Sequence, residues 1–86
     1  MIRPEDPTQT VLGAYIGTVG NIDNAKFGIG DFNTWGGGTL PTGNSYGGVI
    51  TFKIDATKMQ VAFGWDSQKA YMRRYMNNAW DPWTEL

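Results

Sequence analysis

The sequence predicts an all-β fold, built as a small antiparallel meander or sandwich, and three observations support this prediction. Short segments are rich in β-branched and aromatic side chains. Apolar and polar positions alternate along these segments, and turn-forming pairs separate them at roughly ten-residue spacing. Because no segment carries a sustained helical repeat of apolar residues, we expect almost no helix.

Four strands are predicted in the second half of the chain, at residues 48–54, 58–65, 69–76 and 79–83. Asn77 and Asn78 are predicted to form the turn before the last strand, because asparagine tolerates positive φ. Pro82 has no amide donor, so the last strand is predicted to be short and to lie at an edge of the sheet.

The alternation within these strands assigns side chains to opposite faces. In the strand at 58–65, one face carries Met59, Val61, Phe63 and Trp65, and the other carries Gln60, Ala62 and Gly64. In the strand at 69–76, Tyr71, Arg73 and Tyr75 alternate with Ala70, Met72, Arg74 and Met76. A repeat of two residues is the pattern of a strand.

The first half of the chain is less regular. Residues 8–19 are predicted to form one strand or two, with bends at Gly13 and Gly17, and residues 27–32 to form a short strand. Residues 21–24 are predicted to form a turn or a single helical turn. Residues 34–48 are rich in glycine, so we expect a long loop that wraps over the sheet.

The size and charge of the chain limit what it does. Its 86 residues form one domain, 1–86, whose first residues, 1–7, are expected to be a linker. The net charge of -1 argues against a nucleic-acid partner and against an anionic membrane surface. We also expect no membrane insertion and no secretory signal, because the chain lacks long apolar runs and its start lacks an apolar segment.

The absence of cysteine and histidine from the sequence removes several chemistries, among them thiol nucleophiles, zinc fingers and serine–histidine–aspartate triads. We therefore expect no enzyme activity, no catalytic residue, no metal and no cofactor. Residues 21–24 lack the spacing of a calcium loop. A domain this small without disulfides often needs other copies of itself for stability, so oligomerisation is expected.

Aromatic residues are the main candidates for a binding function, because exposed rings stack on the apolar faces of sugars. Trp35 and Tyr46 lie in or beside the glycine-rich loop, where a bulky ring either anchors the loop or meets a partner. By contrast, we expect Trp65, Tyr71 and Trp83 to fill the core, since they fall on regular strand positions.

The neighbours Arg73 and Arg74 point to opposite faces of one strand. We expect one of them to enter an interface or to form an ion pair. The candidate partners are Asp66, Asp81 and Glu85. A solvated surface arginine is the alternative.

Four short motifs follow one another in the second half of the chain. They are PTGNSYGGVI at residues 41–50, MQVAFG at 59–64, AYMRR at 70–74 and NAWDPWTEL at 78–86. In this order they resemble the knob-type domains of bacteriophage tail fibres and of R-type pyocin fibres, over residues 33–86. That family closes on a Trp-x-x-Trp-x-Glu pattern followed by leucine or isoleucine. Its arginine before the closing glutamate is Thr84 here.

The resemblance implies a homotrimer, intertwined or packed, at the distal end of a fibre in the virion tail, which acts outside the host cell. Residues 1–7 would then be a fibre remnant, and Leu86 would lie at the fibre tip. The implied function is host attachment as a receptor-binding protein, through cell-surface glycans and without catalysis. The residues expected to hold the ligand are Trp35, Tyr46, Asn44, Trp80 and Arg73.

Two other functions remain open at this stage. One is a purely structural knob or collar that folds and registers the fibre, with recognition made elsewhere. The other is a carbohydrate-binding module of a larger virion-associated or secreted protein, which predicts a monomer. A small glycan-cleaving enzyme is disfavoured, because a chain of 86 residues offers little room for a substrate cleft.

Overall fold

The protein is described here from a computed structural model, over residues 15–41 and 43–86. Seven strands form one mixed sheet: β1 Tyr15–Thr18, β2 Gly28–Asn33, β3 Tyr46–Ile54, β4 Thr57–Gly64, β5 Ala70–Met76, β6 Ala79–Trp80 and β7 Thr84–Glu85. Two single-turn 3₁₀ helices, Ile22–Asn24 and Thr34–Gly36, lie in the loops before β2 and before β3. The predicted all-β fold is confirmed.

The sheet is mostly an antiparallel meander. Strands β2 to β6 pair with their sequence neighbours in antiparallel fashion, and β7 pairs with β5 beside β6. Strand β1 differs, because it runs parallel to β2. The loop between β1 and β2 therefore crosses over one face of the sheet. The described residues form a single sheet and not the sandwich that was the alternative prediction.

Several local predictions can be compared with the structure. Asn77 and Asn78 have φ of 54° and 63°, which confirms the predicted turn. The last strand, predicted at 79–83, is short and lies at an edge as expected, but it ends at Trp80 as β6. Strand β7 follows Pro82 and lies outside the predicted range. Of the strand region predicted at 8–19, only its end is described, as β1. Residues 1–14, with the predicted linker at 1–7, lie outside the described residues.

One face of the sheet carries the hydrophobic core and is called the core face. The loops at 19–27 and at 34–41 and 43–45 pack on this face and bring side chains onto the strands. The core cluster consists of Val19, Ile22, Ala25, Phe32, Val49 and Ala62, with Leu40 and Trp83 packed against it. The glycine-rich loop thus covers the sheet, as its composition predicts, but it ends before Tyr46, because residues 46–48 pair with β2 and β4 as the start of β3.

The core face of β4 is the one that carries Gln60, Ala62 and Gly64, all of them buried. Gln60 is buried because its amide nitrogen donates to the carbonyl of Ile22, at 2.8 Å, in the loop that covers the sheet. Backbone carbonyls brought into a core need such donors. The predicted core position of Trp65 is wrong, since its ring is 67% exposed. Tyr71 is buried, as expected.

The opposite face of the sheet is called the open face. By the strand register and the alternation of side chains, it carries Ile29, Ile50, Phe52, Met59, Val61, Phe63 and Met72. Phe63 is 49% exposed there, and the others are only partly buried. Both long loops pack on the core face, so the loops of the described residues leave this apolar surface uncovered.

Candidate functional site

A depression at one end of the open face brings together aromatic rings, a glycine and a carboxylate. It is called the aromatic groove, has a volume of about 510 Å³, and is formed by Tyr15, Asp31, Tyr46, Gly48, Phe63 and Trp65. The groove spans strands β1 to β4, and the backbone of neighbouring glycines completes its walls.

The depth of the groove comes from Gly48. In the sheet register, Gly48 pairs with Asp31 on one side and with Phe63 on the other. A Cβ atom added at Gly48 would meet nothing closer than the Gly30 carbonyl oxygen at 3.8 Å. At the adjacent Gly47, by contrast, a Cβ atom would collide with the Phe63 carbonyl. Gly47 is therefore required by the packing of the sheet, whereas Gly48 leaves open space in the groove.

Two stacked rings form one wall of the groove. Tyr46 and Trp65 have ring centroids 5.7 Å apart with an interplanar angle of 23°. The backbone holds them in register, because the Trp65 amide donates to the Tyr46 carbonyl at 3.0 Å. Trp65 is 67% exposed and Tyr46 is 44% exposed. The pair presents a flat aromatic surface to solvent.

The polar group of the groove is Asp31. Its Oδ1 accepts a hydrogen bond from the Tyr15 hydroxyl at 2.6 Å, and its Oδ2 accepts one from the Thr18 hydroxyl at 2.8 Å. These bonds, that from Tyr15 first, lower the pKa of Asp31 and keep it ionised. The same bond to Asp31 raises the pKa of Tyr15. No lysine or arginine lines the groove among the described residues, so its formal charge is negative.

A second hollow of about 380 Å³ adjoins the groove and shares Asp31 and Tyr46 with it. Trp35 stands at its border on the second 3₁₀ helix, with its ring 95% exposed. The Asn33 side chain fixes this helix by accepting from the Gly36 amide at 3.0 Å. The structure thus brings Trp35 and Tyr46 to one region of the surface, as predicted binding residues would require.

Asn44, a predicted ligand residue, lies in the scaffold of the loops. Its Oδ1 accepts from the backbone and hydroxyl of Ser67 at 3.2 and 3.0 Å, and its Nδ2 donates to the Tyr71 hydroxyl at 3.3 Å. The side chain occupies the space in which Gly64 lacks a Cβ atom. Asn44 is buried and joins two loops, so it is not displayed to a ligand.

Arg73 is also buried, on the core face, with its side chain 1% exposed. Its guanidinium lies 4.3 Å from the ring centroids of both Trp80 and Trp83. It donates to Gln60 and to Asp23, each at 2.8 Å. Burial lowers the pKa of Arg73, and the hydrogen bond to Asp23 opposes this shift. These five residues are called the arginine cluster.

The arginine cluster shows the surroundings of Arg73 and Trp80, two of the predicted ligand residues. Arg73 pairs with Asp23 and with none of the expected partners, because the loop at 19–27 brings Asp23 onto the core face. Trp80 is held by its indole, which donates to the Asp23 carbonyl at 2.9 Å. Both residues therefore stabilise the face opposite the groove, away from any ligand there. Arg74 pairs with Asp81 at 2.6 Å, one of the ion pairs predicted for the two arginines.

Sequence reasoning did not select the other groove residues. Asp31 lies within β2, inside the strand predicted at 27–32 but without a predicted role, and Trp65 was predicted to lie in the core. One usable signal was present: Gly47 and Gly48 precede a strongly β-branched stretch, and glycine inside a strand often marks a close approach or a shallow surface.

The described residues offer groups for binding but no assembled metal centre. Among residues 15–41 and 43–86, no three acidic side chains converge in a way that would hold a metal ion. In the same residues, no helix has the length and apolar character needed to cross a membrane.

Comparison with protein-family models, curated proteins and solved structures found no match to this chain.

Proposed function

We propose that this chain is a receptor-binding domain of a bacteriophage tail fibre, which acts as a homotrimer in the virion tail. In this proposal it attaches to glycans on the host surface and catalyses no reaction. The observation that carries the proposal is that, among the described residues, one sheet face is apolar and only partly buried, with an aromatic groove at its end. The knob-like motifs at 41–86 support the assignment to a tail fibre.

The open face supports self-association. Its apolar side chains include Ile50, Phe52 and Val61 on adjacent strands, and such contiguous surfaces usually mark an interaction site. The chain has no disulfide to compensate for its small core. Burial of the part of the open face that carries Ile50, Phe52 and Val61 against two further copies would supply the missing apolar contacts and leave the groove at its end accessible. A net charge of only -1 per chain opposes this association little.

The exposed rings support attachment. Trp35, Tyr46 and Trp65 all lie at the same end of the sheet and are accessible from solvent. Contact of large exposed rings with water is unfavourable, and such rings are enriched at recognition surfaces. Rings that only fill a core would be buried, as Tyr71 is.

The test combines the mass in solution with attachment to host cells. We expect the wild-type chain to be a trimer that binds host cells or their extracted surface polysaccharide. A double variant, Trp35→Ala with Tyr46→Ala, should keep the mass and lose attachment. A trimer that binds no host surface would refute the adhesive role.

A structural knob is the second candidate, and one observation favours it. Three of the five predicted ligand residues, Asn44, Arg73 and Trp80, serve the internal scaffold. If the domain is only structural, the Trp35→Ala and Tyr46→Ala double variant should keep its mass in solution and its assembly into the fibre. Attachment of the fibre to host cells should then be unchanged. A folded monomer that binds glycans would instead favour a carbohydrate-binding module.

A further inference from the structure

We infer that the aromatic groove is a subsite for an uncharged sugar ring, with Gly48 as its floor, the Tyr46–Trp65 pair as its stacking wall and Asp31 as its hydrogen-bond acceptor. This inference rests on the proposed function and deepens it, because it names the surface and the class of glycan.

The shape of the groove suits a flat, partly apolar ring. The stacked pair of Tyr46 and Trp65 gives a planar wall, and Phe63 stands nearby at 49% exposure. A sugar ring presents C–H groups on one face, and these pack on aromatic surfaces as other apolar groups do. The space above Gly48 allows the ring to approach the backbone of the sheet.

Asp31 supplies the polar contact that a sugar needs. Each carboxylate oxygen already accepts one hydrogen bond, from Tyr15 and from Thr18, and an ionised carboxylate offers about four acceptor positions in all. Acceptor positions therefore remain for the hydroxyl groups of a sugar. The two existing bonds hold the carboxylate in place before a ligand arrives, which lowers the cost of ordering it.

The charge of the groove decides between neutral and acidic glycans. Its formal charge comes from Asp31, and no cation lines it among the described residues. A phosphate or carboxylate on the ligand would meet a like charge without a partner, and such contacts disfavour binding. The groove therefore favours uncharged sugars over phosphorylated or uronic-acid sugars.

Gly48→Val provides the direct test. The new side chain would project into the groove, where the first added atom meets no protein atom closer than 3.8 Å, and valine favours strands. Gly20→Val is the matched control, since a Cβ atom there meets no atom within 4 Å and Gly20 lies outside the groove. Both variants and the wild-type chain are applied, as assembled, to an array of neutral and acidic bacterial-surface glycans.

We expect the wild-type chain to bind neutral members of the array and to bind acidic members at least tenfold more weakly. Gly48→Val should bind the neutral members at least tenfold more weakly than wild type, with circular dichroism and mass unchanged, and Gly20→Val should bind them as wild type does. If Gly48→Val does not fold, Trp65→Ala, at an exposed position, should show the same loss, with Phe27→Ala as its exposed aromatic control.

Preference for acidic glycans, lack of binding to any neutral glycan, or unchanged binding by Gly48→Val or by Trp65→Ala would overturn the inference. The proposed function has a separate readout. If the variants still attach to host cells, the groove assignment fails and the fibre role stands. If wild type binds neutral glycans through the groove but no host cell, the groove stands and the fibre role fails.

Discussion

The arginine cluster allows a stability prediction that can be worked from the structure. Arg73 carries its charge with the side chain 1% exposed, and Asp23, at 2.8 Å, is its carboxylate partner. The substitution Asp23→Ala removes that partner and leaves the guanidinium charge buried. Arginine stays protonated over the accessible pH range, so the variant cannot avoid burying this unpaired charge.

The expected loss is about 3 kcal/mol of unfolding free energy. Removal of one partner from a buried ion pair costs about 3–5 kcal/mol. The lower value applies here for two reasons. Asp23 is 32% exposed, so solvent already screens the pair, and Arg73 keeps its hydrogen bond to Gln60 and its contacts with two tryptophan rings. A domain of this size is usually stable by only about 5–15 kcal/mol.

Urea unfolding followed by tryptophan fluorescence, at one fixed protomer concentration, measures the loss. The matched control is Asp81→Ala, which breaks the Arg74–Asp81 pair at 2.6 Å. That pair is exposed, with side-chain exposures of 55% and 41%, so its removal should cost about 1 kcal/mol or less. Equal losses in the two variants, or a loss below about 1 kcal/mol for Asp23→Ala, would refute the argument from burial.

Two further predictions concern other parts of the fold. Asp31 has a lowered pKa in the folded chain, so its contribution to stability is present above the unfolded value of 3.8 and is lost as the pH falls through the folded pKa. Urea unfolding between pH 6 and pH 2 should therefore show that the free energy of unfolding falls less steeply with acid in Asp31→Asn than in wild type. Identical plots of this free energy against pH would contradict the prediction. Asn44→Ala removes the amide that bonds to Ser67 and Tyr71, and it should lower the free energy of unfolding by about 1–3 kcal/mol. The rate of amide hydrogen exchange should then rise in the loop at 43–45 and at Ser67. Unchanged rates at both places would contradict the role of Asn44 in joining the two loops.

Much of the fold follows from the sequence because its strands obey local rules. The alternation in β4 and β5 and the turn at Asn77 and Asn78 depend on neighbouring residues only, so the pattern predicts them well. The parallel pairing of β1 with β2 could not be predicted, because it depends on the crossover of the loop at 19–27.

The choice of the core face could not be predicted either. On β4, hydrophobicity alone favours the face with Val61 and Phe63 as the inner one. The chain instead buries Gln60 and Arg73, since the covering loop brings the Ile22 carbonyl and the Asp23 carboxylate that satisfy them. Such partners are distant in sequence, so no local pattern reveals them.

For the same reason the candidate site was only partly predicted. Tyr46 and Trp35 stand out in the sequence as rings beside glycines, and the structure places both at the surface. The other groove residues come together only through the pairing of β2, β3 and β4.

Sedimentation equilibrium at micromolar concentration tests most directly whether copies of the chain cover the open face. We expect the wild-type chain to have three times the 9.5 kDa mass of one chain. Val61→Glu, which places a charge on the open face, should lower that mass, whereas Ala56→Glu, in the exposed turn before β4, should not. A wild-type chain that is folded and sediments at 9.5 kDa would contradict the account.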